Sequence, residues 1–473
     1  MGRSMSVAGP EQAGVFELVA SHAHVTISNT PSGPRQTIEK ESYRESLGIA
    51  YEIGSGTHAF GYIVQVGDHL FQSPLSYYTA RRIWDVAPGY EDSAAPDFTR
   101  PVTVECLFCH SDRLRPVADT LNRYQTPPFA GTAIQCDRCH GPAEAHLARP
   151  VPGSIINPAK LPQRQRDSIC EQCHLTGAVR IPNPGKAITD FRPGEAIEDV
   201  YTVYVAAHDS DKAIKVVSHA EQLALSLCAR KSNGELWCGT CHNPHETPAR
   251  PAEYYRQKCL SCHAATLEPS HRASGRDCIG CHMPRRPAKD GGHTAFTDHR
   301  ITRQPEAEAG TDWNDELTAW REPEAQLRQR NLALALVTAG LQRHSAKPVI
   351  RGFQMLVKLE STFHDDDAVL TALGTILMTA KQPAEAERRF ARALALRPSY
   401  APYEVNVANA LMSEGKDTEA TRHLARAVEL DPLLEQAVQL LRRQYLSHGE
   451  ASRAAELLSR YRAAMGFSGK FGN

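Results

Sequence analysis

Twelve of the thirteen cysteines in this 473-residue chain stand in six copies of one pattern, Cys-x-x-Cys-His. Two thiols three positions apart can form thioethers to the two vinyl groups of one porphyrin, and the next histidine is then placed to bind the iron as its proximal ligand. The pattern therefore predicts six covalently attached c-type haems. The predicted attachment cysteines are Cys106, Cys109, Cys136, Cys139, Cys170, Cys173, Cys238, Cys241, Cys259, Cys262, Cys278 and Cys281, and the predicted proximal histidines are His110, His140, His174, His242, His263 and His282.

Two other uses of paired cysteines explain the pattern less well. A structural zinc site also takes Cys-x-x-Cys pairs, but it does not need a histidine after every second cysteine, and here every pair has one. Disulfides would suit an oxidising compartment, yet they account for neither the histidines nor the fixed gap. The remaining cysteine, Cys228, has no partner in the pattern and is interpreted as a small apolar core residue.

The second axial ligand of each iron decides its chemistry, and histidine is the main supply. Residues 1–300 contain seventeen histidines, of which eleven lie outside the motifs, whereas methionine occurs only as Met1, Met5 and Met283. Bis-histidine ligation and low reduction potentials are therefore expected, because Met/His ligation is what raises the potential. Of the eleven, His69 is interpreted as a residue on a hairpin surface and His208 as a loop residue.

Composition limits the class of protein and its location. The formal charge of −1 and pI near 7.1 give no basic stripe for nucleic acid. The sequence also contains no run of about 18 apolar residues, the length that spans a membrane. Haem is attached to c-type cytochromes outside the cytoplasm, so a periplasmic or otherwise exported protein is predicted. Residues 1–10 have no apolar stretch typical of a signal peptide, so we expect that the start of the chain is truncated.

The chain is predicted to divide into four segments. Residues 1–100 form a β-containing lead-in, in which runs at 60–66 and 69–75 flank Gly67-Asp68 as a hairpin. Residues 101–300 form the haem domain, of coil and short helices, with a core supplied largely by haem. Residues 301–325 are a linker, and residues 326–473 are helical.

The helical segment repeats at an interval of about 34 residues, which is the length of a tetratricopeptide (TPR) unit. Alanines and large apolar residues recur at this spacing, as do Pro398 and Pro432, and Gly340 and Gly374 extend the interval backwards. In the TPR pattern, small residues let two helices cross closely. Clear units are predicted at 367–400 and 401–434, with weaker ones at 333–366 and 435–468. The repeating core positions are Ala386, Ala420 and Ala454; Phe390, Leu424 and Leu458; and Ala393 and Ala427.

Seven stretches of the sequence carry a resemblance to a known family. They are Gly54-Ser-Gly-Thr-His58, Gln72-Ser-Pro-Leu-Ser-Tyr-Tyr78, Cys139-His-Gly-Pro-Ala-Glu-Ala-His146, Ser218-His-Ala-Glu-Gln222, Cys241-His-Asn-Pro-His245, Cys281-His-Met-Pro284 and Thr297-Asp-His-Arg300. Nearly the whole chain resembles the multihaem cytochromes of the cytochrome c-554 type, in the bacterial branch that adds C-terminal TPR repeats. The resemblance implies that His58, His146, His219, His245, His271 and His299 are the better candidates for distal haem ligands. In similar proteins a stretch like Gly2-Arg-Ser-Met5 follows a first haem motif, which implies a seventh haem upstream, with His22 or His24 as its ligand.

Three functions fit these features. The first is an exported electron carrier whose haems pass charge, while the repeats dock a redox partner. The second is a reductase or dehydrogenase of a small nitrogen or sulfur compound, which needs one haem with an open face; some enzymes of this superfamily have Cys-x-x-Cys-Lys, which is absent here. In the third, the haems are only structural and the repeats carry the function. The electron carrier is the favoured interpretation.

Overall fold

The computed structural model describes residues 2–18, 21–40, 43–91, 93, 96–206, 214–264, 277–302 and 315–467. The chain folds into two compact units. The first, residues 135–324, contains five of the six motifs and is named the cysteine-rich unit. The second joins residues 2–134 to residues 325–473 and is named the sheet-and-repeat unit; it contains the first motif, at 106–110.

An eight-stranded antiparallel sheet forms the N-terminal part of the sheet-and-repeat unit. Strands β2 to β8 are neighbours in sequence order, and β1 pairs with β5. The predicted hairpin is present as β6 and β7, with Val66 opposite His69 and Gly67 at a positive φ of 60° in the turn. The strands are β1 (Met5–Val7), β2 (Gly14–Leu18), β3 (Ala23–Thr30), β4 (Gly33–Lys40), β5 (Tyr43–Ile53), β6 (Phe60–Val66), β7 (His69–Tyr78) and β8 (Ile83–Val86).

The sheet is much larger than the small hairpin that the sequence predicted. Strand β4 explains the difference, because it buries the polar residues Gln36 and Thr37 beside Ile38. Its apolar alternation, the main sequence signal for a strand, is therefore weak.

A second strand pair extends the unit beyond residue 100. After the short helix Val104–Phe108, strand β9 (Ser111–Pro116) pairs with β10 (Tyr124–Thr132). Residues from this segment share one apolar cluster with residues of the large sheet; the buried members are Met5, Ile63, Leu70, Val102, Leu107, Tyr124 and Phe129. The boundary between the two units thus falls at residues 134/135 rather than near residue 100.

Eight helices in four antiparallel pairs form the described part of the repeat region, as the sequence interval predicted. The helices of the second, third and fourth pairs start at this same interval, whereas those of the first pair are offset. The pairs are Arg328–Gln342 with Ala346–Leu359, Asp367–Thr379 with Pro383–Leu396, Ala401–Ser413 with Asp417–Leu430, and Glu435–Ser447 with Ala451–Met465.

Small residues stand where the two helices of a pair cross. Ala386, Ala420 and Ala454 are all buried. A Cβ on Gly374 would collide with the ring of Phe390, so this glycine gives the aromatic side chain its space. The repeating small residues are therefore required by close helix packing, which agrees with the TPR interpretation.

The repeats and the sheet share one apolar core within their unit. Two polar contacts fix the edge of the repeats to the N-terminal segment: Arg397 Nε donates to Asp119 Oδ1 at 2.7 Å, and His69 Nε2 lies 3.0 Å from Asp431 Oδ1. Arg397 and Asp431 occupy equivalent positions in consecutive repeats. The interpretation of His69 as a surface residue is wrong, because only 4 % of it is exposed.

The cysteine-rich unit contains short helices and two small antiparallel sheets. One sheet joins Val179–Pro182, Tyr201–Ala206 and Leu317–Ala319, and the other joins Arg285–Pro287 to Ala295–Thr297. The α-helices are Asp137–His140, Glu144–Ala148, Gln163–His174, His219–Leu225, Leu227–Lys231, Cys238–Cys241, Pro251–His263 and Cys278–His282, and the 3₁₀ turns are Pro158–Lys160, Ile188–Asp190 and Ile197–Asp199.

The described part of the predicted linker at 301–325 takes part in this unit. Besides the strand Leu317–Ala319, the guanidinium of Arg321 makes two hydrogen bonds, of 2.6 and 2.7 Å, to the buried Glu171 carboxylate. Trp320 Nε1 donates to the same carboxylate at 3.0 Å. The described part of this segment therefore belongs to the folded cysteine-rich unit and is more than a connector. None of the helices in the described ranges is long and apolar enough to cross a membrane.

Candidate haem-binding sites

Each Cys-x-x-Cys-His motif lies in or at the end of a short helical turn. In the second motif the amide of His140 donates to the carbonyl of Cys136 at 2.9 Å, and in the fourth the amide of His242 donates to Cys238 at the same distance. Residues three and four apart share one face of a helix. The turn therefore brings two thiols and the following imidazole to one side of the backbone, as attachment of one porphyrin requires.

Three proximal histidines donate from Nδ1 to a backbone carbonyl. His110 bonds to Ser4 O at 3.2 Å, His140 to Ile156 O at 2.7 Å and His282 to Thr302 O at 2.9 Å. A carbonyl oxygen can only accept, so Nδ1 carries the proton and the lone pair is on Nε2. This is the tautomer that metal-binding histidines adopt when a second group orients the ring.

Two distal candidates share this arrangement. His299 Nδ1 lies 2.9 Å from the carbonyl oxygen of Thr297. His146 Nδ1 lies 2.8 Å from Ser154 Oγ, and that hydroxyl donates to the carbonyl of Val151, so it accepts from the histidine. Both imidazoles therefore also present Nε2 with a lone pair free to bind a metal.

His69 has the opposite arrangement. Its Nδ1 lies 2.8 Å from Asp68 Oδ1 and its Nε2 lies 3.0 Å from Asp431 Oδ1, so both ring nitrogens bond to carboxylates. This histidine has no nitrogen left for a metal. It serves the packing of the sheet-and-repeat unit.

Two pairs of histidines have the separation expected of axial ligands to one iron. Imidazoles bound through nitrogen at about 2 Å on opposite sides of a metal have their ring centres about 6 Å apart. The rings of His140 and His245 are 5.9 Å apart and inclined by 20°. Those of His242 and His299 are 6.2 Å apart and inclined by 31°. Each pair combines a predicted proximal histidine of one motif with a distal candidate from another part of the chain.

Two further histidines join the second of these pairs. The rings of His174 and His219 are 5.0 Å apart, with their Nδ1 atoms 3.4 Å apart, and His219 lies 4.8 Å from His299. Burial, followed by the neighbouring His299 and His242, lowers the pKa of His174 to about 4. Burial and His174 lower the pKa of His219 to about 3. These imidazoles are neutral at pH 7, and only a neutral imidazole can bind a metal.

The loop that carries His299 is fixed by charge. Asp298 is buried and accepts from Arg286 at 2.7 Å and from Arg300 at 2.6 Å, and these bonds hold the pKa of its carboxyl below the usual range. The amide of His299 donates to Gln222 Oε1 at 2.8 Å. Backbone and side-chain contacts thus set the direction of this imidazole.

Thiols of different motifs also lie together. Cys170 and Cys238 lie close enough for each to shift the pKa of the other, and Cys278 lies close enough to Cys259 to raise its pKa. Burial, followed by the charge of Cys278, raises the pKa of Cys259 to about 11. The third motif is therefore next to the fourth, and the fifth is next to the sixth. None of the thirteen cysteines, all of which lie in the described ranges, forms a disulfide.

The segment with the last three motifs lacks an apolar core of its own. Among its described residues between 215 and 302, Ala288 is the only buried apolar side chain other than glycine. A cavity of about 710 Å³ opens beside the fourth and fifth motifs, with Thr240, Tyr254, Lys258 and Ser261 in its wall. Cavities of this volume hold cofactor-sized ligands.

Other predicted site residues are less informative. His58 is half-buried in the sheet-and-repeat unit, and the proximal candidate His263 is exposed at the end of its helix. His271 lies outside the described residues. No group of three His, Cys, Asp or Glu side chains that could hold a metal ion is found in the described ranges. A haem iron does not need such a group, since four of its ligands are porphyrin nitrogens.

Cys228 is half-buried rather than buried, at the short helix Leu227–Lys231.

Sequence reasoning missed Tyr255 and Asp298 as residues that contact these histidines. Tyr255 Oη lies 3.0 Å from His242 Nδ1. Asp298 had a signal, because it stands inside the Thr-Asp-His-Arg stretch. Tyr255 had none, because its role depends on a contact across thirteen residues.

No protein-family model matches this chain, and no curated protein matches it in sequence at a significant level. Among solved structures, it is similar to MamA from Desulfovibrio magneticus RS-1, with 18 % identity and a TM-score of 0.26, over 29 % of this chain and 77 % of that one. It is also similar to the first TPR of Spaghetti (RPAP3) bound to an HSP90 peptide, with 22 % identity and a TM-score of 0.23, over 25 % of this chain and 94 % of that one.

Proposed function

We propose that this protein is an exported multihaem c-type cytochrome that carries electrons through six covalently attached haems, with its repeats docking a redox partner. The observation that carries the proposal is the shared tautomer of His110, His140 and His282, whose Nδ1 protons are all bonded to backbone carbonyls. Ordinary surface histidines have no reason to share it, whereas iron ligands do.

Haem supplies reversible one-electron chemistry at iron when it is bound. The chain's own part is to orient imidazoles through their Nδ1 hydrogen bonds, as at His110, His140 and His282, to keep His174 and His219 neutral and to bring neighbouring motifs together. The contacts of Cys170 with Cys238, and of Cys259 with Cys278, support close spacing of the groups attached there. The pairs His140/His245 and His242/His299 support bis-histidine ligation, which is expected to give low potentials.

A count of covalent haems tests the proposal. The chain is expressed with an export signal in a host that matures c-type cytochromes, and the denatured protein is weighed by mass spectrometry. Six haems are expected, and replacing Cys136 and Cys139 by serine is expected to remove one. As a matched control, Cys228→Ser keeps all six. A colourless product with thirteen alkylatable thiols would refute the proposal.

The oxidised spectrum separates the carrier from the enzyme. Bis-histidine irons are low-spin, so a carrier is expected to give only low-spin electron paramagnetic resonance signals. A high-spin signal that changes on addition of nitrite or hydroxylamine would favour the alternative, a reductase or dehydrogenase with one open haem.

Partner docking is supported by a basic column on the repeats. Lys358, Arg392, Arg426 and Arg460 recur once per repeat on the second helices of the four pairs, and all are exposed. Equivalent positions in stacked repeats lie side by side. Residues 326–473 hold twenty Lys and Arg against fifteen Asp and Glu, although the whole chain is slightly negative. The surface is therefore suited to an acidic protein.

Charge reversal tests this surface. The double variant Arg392→Glu/Arg426→Glu is expected to slow association with the natural redox partner and to reduce its salt dependence, because long-range attraction is lost. The matched control Lys347→Glu/Arg443→Glu changes the net charge equally at exposed sites outside the column. Equal effects of both variants would refute docking through the column.

A further inference from the structure

The proximal candidate of the fourth motif has a partner unlike those of three others. His110, His140 and His282 bond from Nδ1 to backbone carbonyls, whereas His242 Nδ1 lies 3.0 Å from the phenol oxygen of Tyr255. With Nε2 bound to iron, Nδ1 would carry the proton and the phenol oxygen would accept it. The two rings are 5.3 Å apart and inclined by 66°, so the contact is made at the ring edge rather than by stacking.

The position of Tyr255 is set by the neighbouring motif. It lies on the helix Pro251–His263, four residues before Cys259, and therefore one turn before the cysteines of the fifth motif. The ring of Tyr254 packs edge-on against it at 5.1 Å, and the ammonium group of Lys258 lies 5.3 Å from the centre of the Tyr254 ring. One helix thus carries the two attachment cysteines of the fifth motif and a phenol that contacts the candidate iron ligand of the fourth motif.

The two kinds of acceptor differ in strength. A group that accepts the Nδ1 proton makes the imidazole a stronger electron donor to its metal, which stabilises the oxidised ion. A phenol oxygen is a weaker acceptor than an amide carbonyl. At pH 7 a tyrosine hydroxyl is neutral, since its ordinary pKa is about 10.

We infer that Tyr255 is a positioning residue that tunes the reduction potential of the haem held by His242, and that this potential lies above those of the haems whose histidines bond to carbonyls. The inference rests on the proposed haem function and adds to it a named residue and a direction. No bond is made or broken at Tyr255. One electron is taken up from the reductant or from a neighbouring haem, and the proton stays on His242 Nδ1 in both oxidation states.

The test is a spectroelectrochemical titration of the whole haem-loaded protein with Tyr255→Phe. Removing the acceptor weakens electron donation by His242, so one of the six reduction steps is expected to shift upward and the other five to stay. The reduced-to-oxidised ratio of that haem at a fixed potential is expected to rise severalfold; a tenfold rise corresponds to about 59 mV for a one-electron couple. Tyr445→Phe, which removes one phenol oxygen from the repeat helix Glu435–Ser447, is the matched control and is expected to leave all six steps unchanged.

Each other outcome overturns the inference. Six unchanged steps in Tyr255→Phe, with six haems still attached, would mean that the phenol does not tune the iron. Several shifted steps, or a lost haem, would mean that Tyr255 supports the fold instead. An equal shift in Tyr445→Phe would mean that the effect does not come from the contact with His242. If the unaltered protein itself carries no haem, the proposed function fails first, and the mass measurement reports this separately.

Discussion

The repeat helices and the segment at 215–302 are built on opposite principles. In the repeats, apolar side chains recur at a fixed interval, and Ala386, Phe390 and Leu424 are all buried. In the segment at 215–302, the described residues bury polar groups such as Gln222, Ser226 and Asp298. Ala288 is the only apolar side chain buried among those described residues. One region encloses its own apolar core, and the other brings histidines and cysteines of different motifs close together.

This difference shows how the two regions meet the same requirement. A chain segment must remove enough apolar surface from water to offset the entropy lost on folding. The repeats do so with side chains alone. The segment with the last three motifs has too few, so on the proposed function its missing apolar surface is that of the porphyrins.

Loss of haem should break this comparison most strongly. With Cys238, Cys241, Cys259, Cys262, Cys278 and Cys281 replaced by serine, the segment at 215–302 is expected to lose its protection from hydrogen exchange. The helices between 367 and 465 are expected to keep theirs, since their core has no such dependence. Cys228→Ser is the control, with unchanged protection in both regions. Full protection of 215–302 in the six-serine variant would contradict the comparison.

A cavity in the repeat core should have the reverse effect. Phe390→Ala is expected to lower the free energy of unfolding of the sheet-and-repeat unit by about 3–5 kcal/mol, as measured by denaturant titration of helical circular dichroism. Leu396→Ala, on the same helix but 40 % exposed, is the control and is expected to cost less than about 1 kcal/mol. The haem absorption should not change before the helices unfold. Equal costs of the two variants would argue against the repeat core.

The edge contacts of the repeats allow a finer test. Asp431→Ala leaves the buried His69 without one of its two partners, and it is expected to cost about 1–3 kcal/mol in the same titration. Asp119→Ala removes one partly exposed ion pair of Arg397, which keeps its second partner Asp367, and is expected to cost about 0–1 kcal/mol. The reverse order would show that the burial of His69 does not matter for stability.

The smallest effect is expected at His146. Ser154→Ala removes the hydroxyl that accepts from His146 Nδ1, on an exposed loop, so the free energy of unfolding should change by less than about 0.5 kcal/mol. One low-spin signal in the electron paramagnetic resonance spectrum should nevertheless shift or broaden, because the imidazole loses its orienting bond. Ser413→Ala, whose hydroxyl bonds to Asn409 O on a repeat helix, is the control. An unchanged spectrum in Ser154→Ala would remove His146 from the ligand candidates.

Local spacing made part of this structure predictable. The constant repeat interval gave the bounds of three helix pairs, because close crossing requires small residues at fixed places in each pair. The hairpin was predictable from Gly67-Asp68, because a glycine can adopt the positive φ that its two-residue turn requires. The motif spacing identified the residues of each helical turn, whose haem attachment remains a prediction.

Contacts between distant parts of the chain were not predictable. His69 and Asp431 are 362 residues apart, and Arg397 and Asp119 are 278 residues apart, so no periodicity reports them. The sheet was underestimated because strands such as β4 bury polar residues. Tyr255 was missed because a tyrosine on a helix has no pattern that points to the imidazole it meets.

Arg397 and Asp431 have a consequence for how this protein could evolve. They occupy the same place in two consecutive copies but carry opposite charges, each matched to a different segment near the amino terminus. Exchanging the two copies would set Asp431 against Asp119 and Arg397 against His69. An extra copy inserted between them would move Asp431 away from His69 by the thickness of one helix pair. These two contacts therefore constrain the order of the two copies and the number of copies between them.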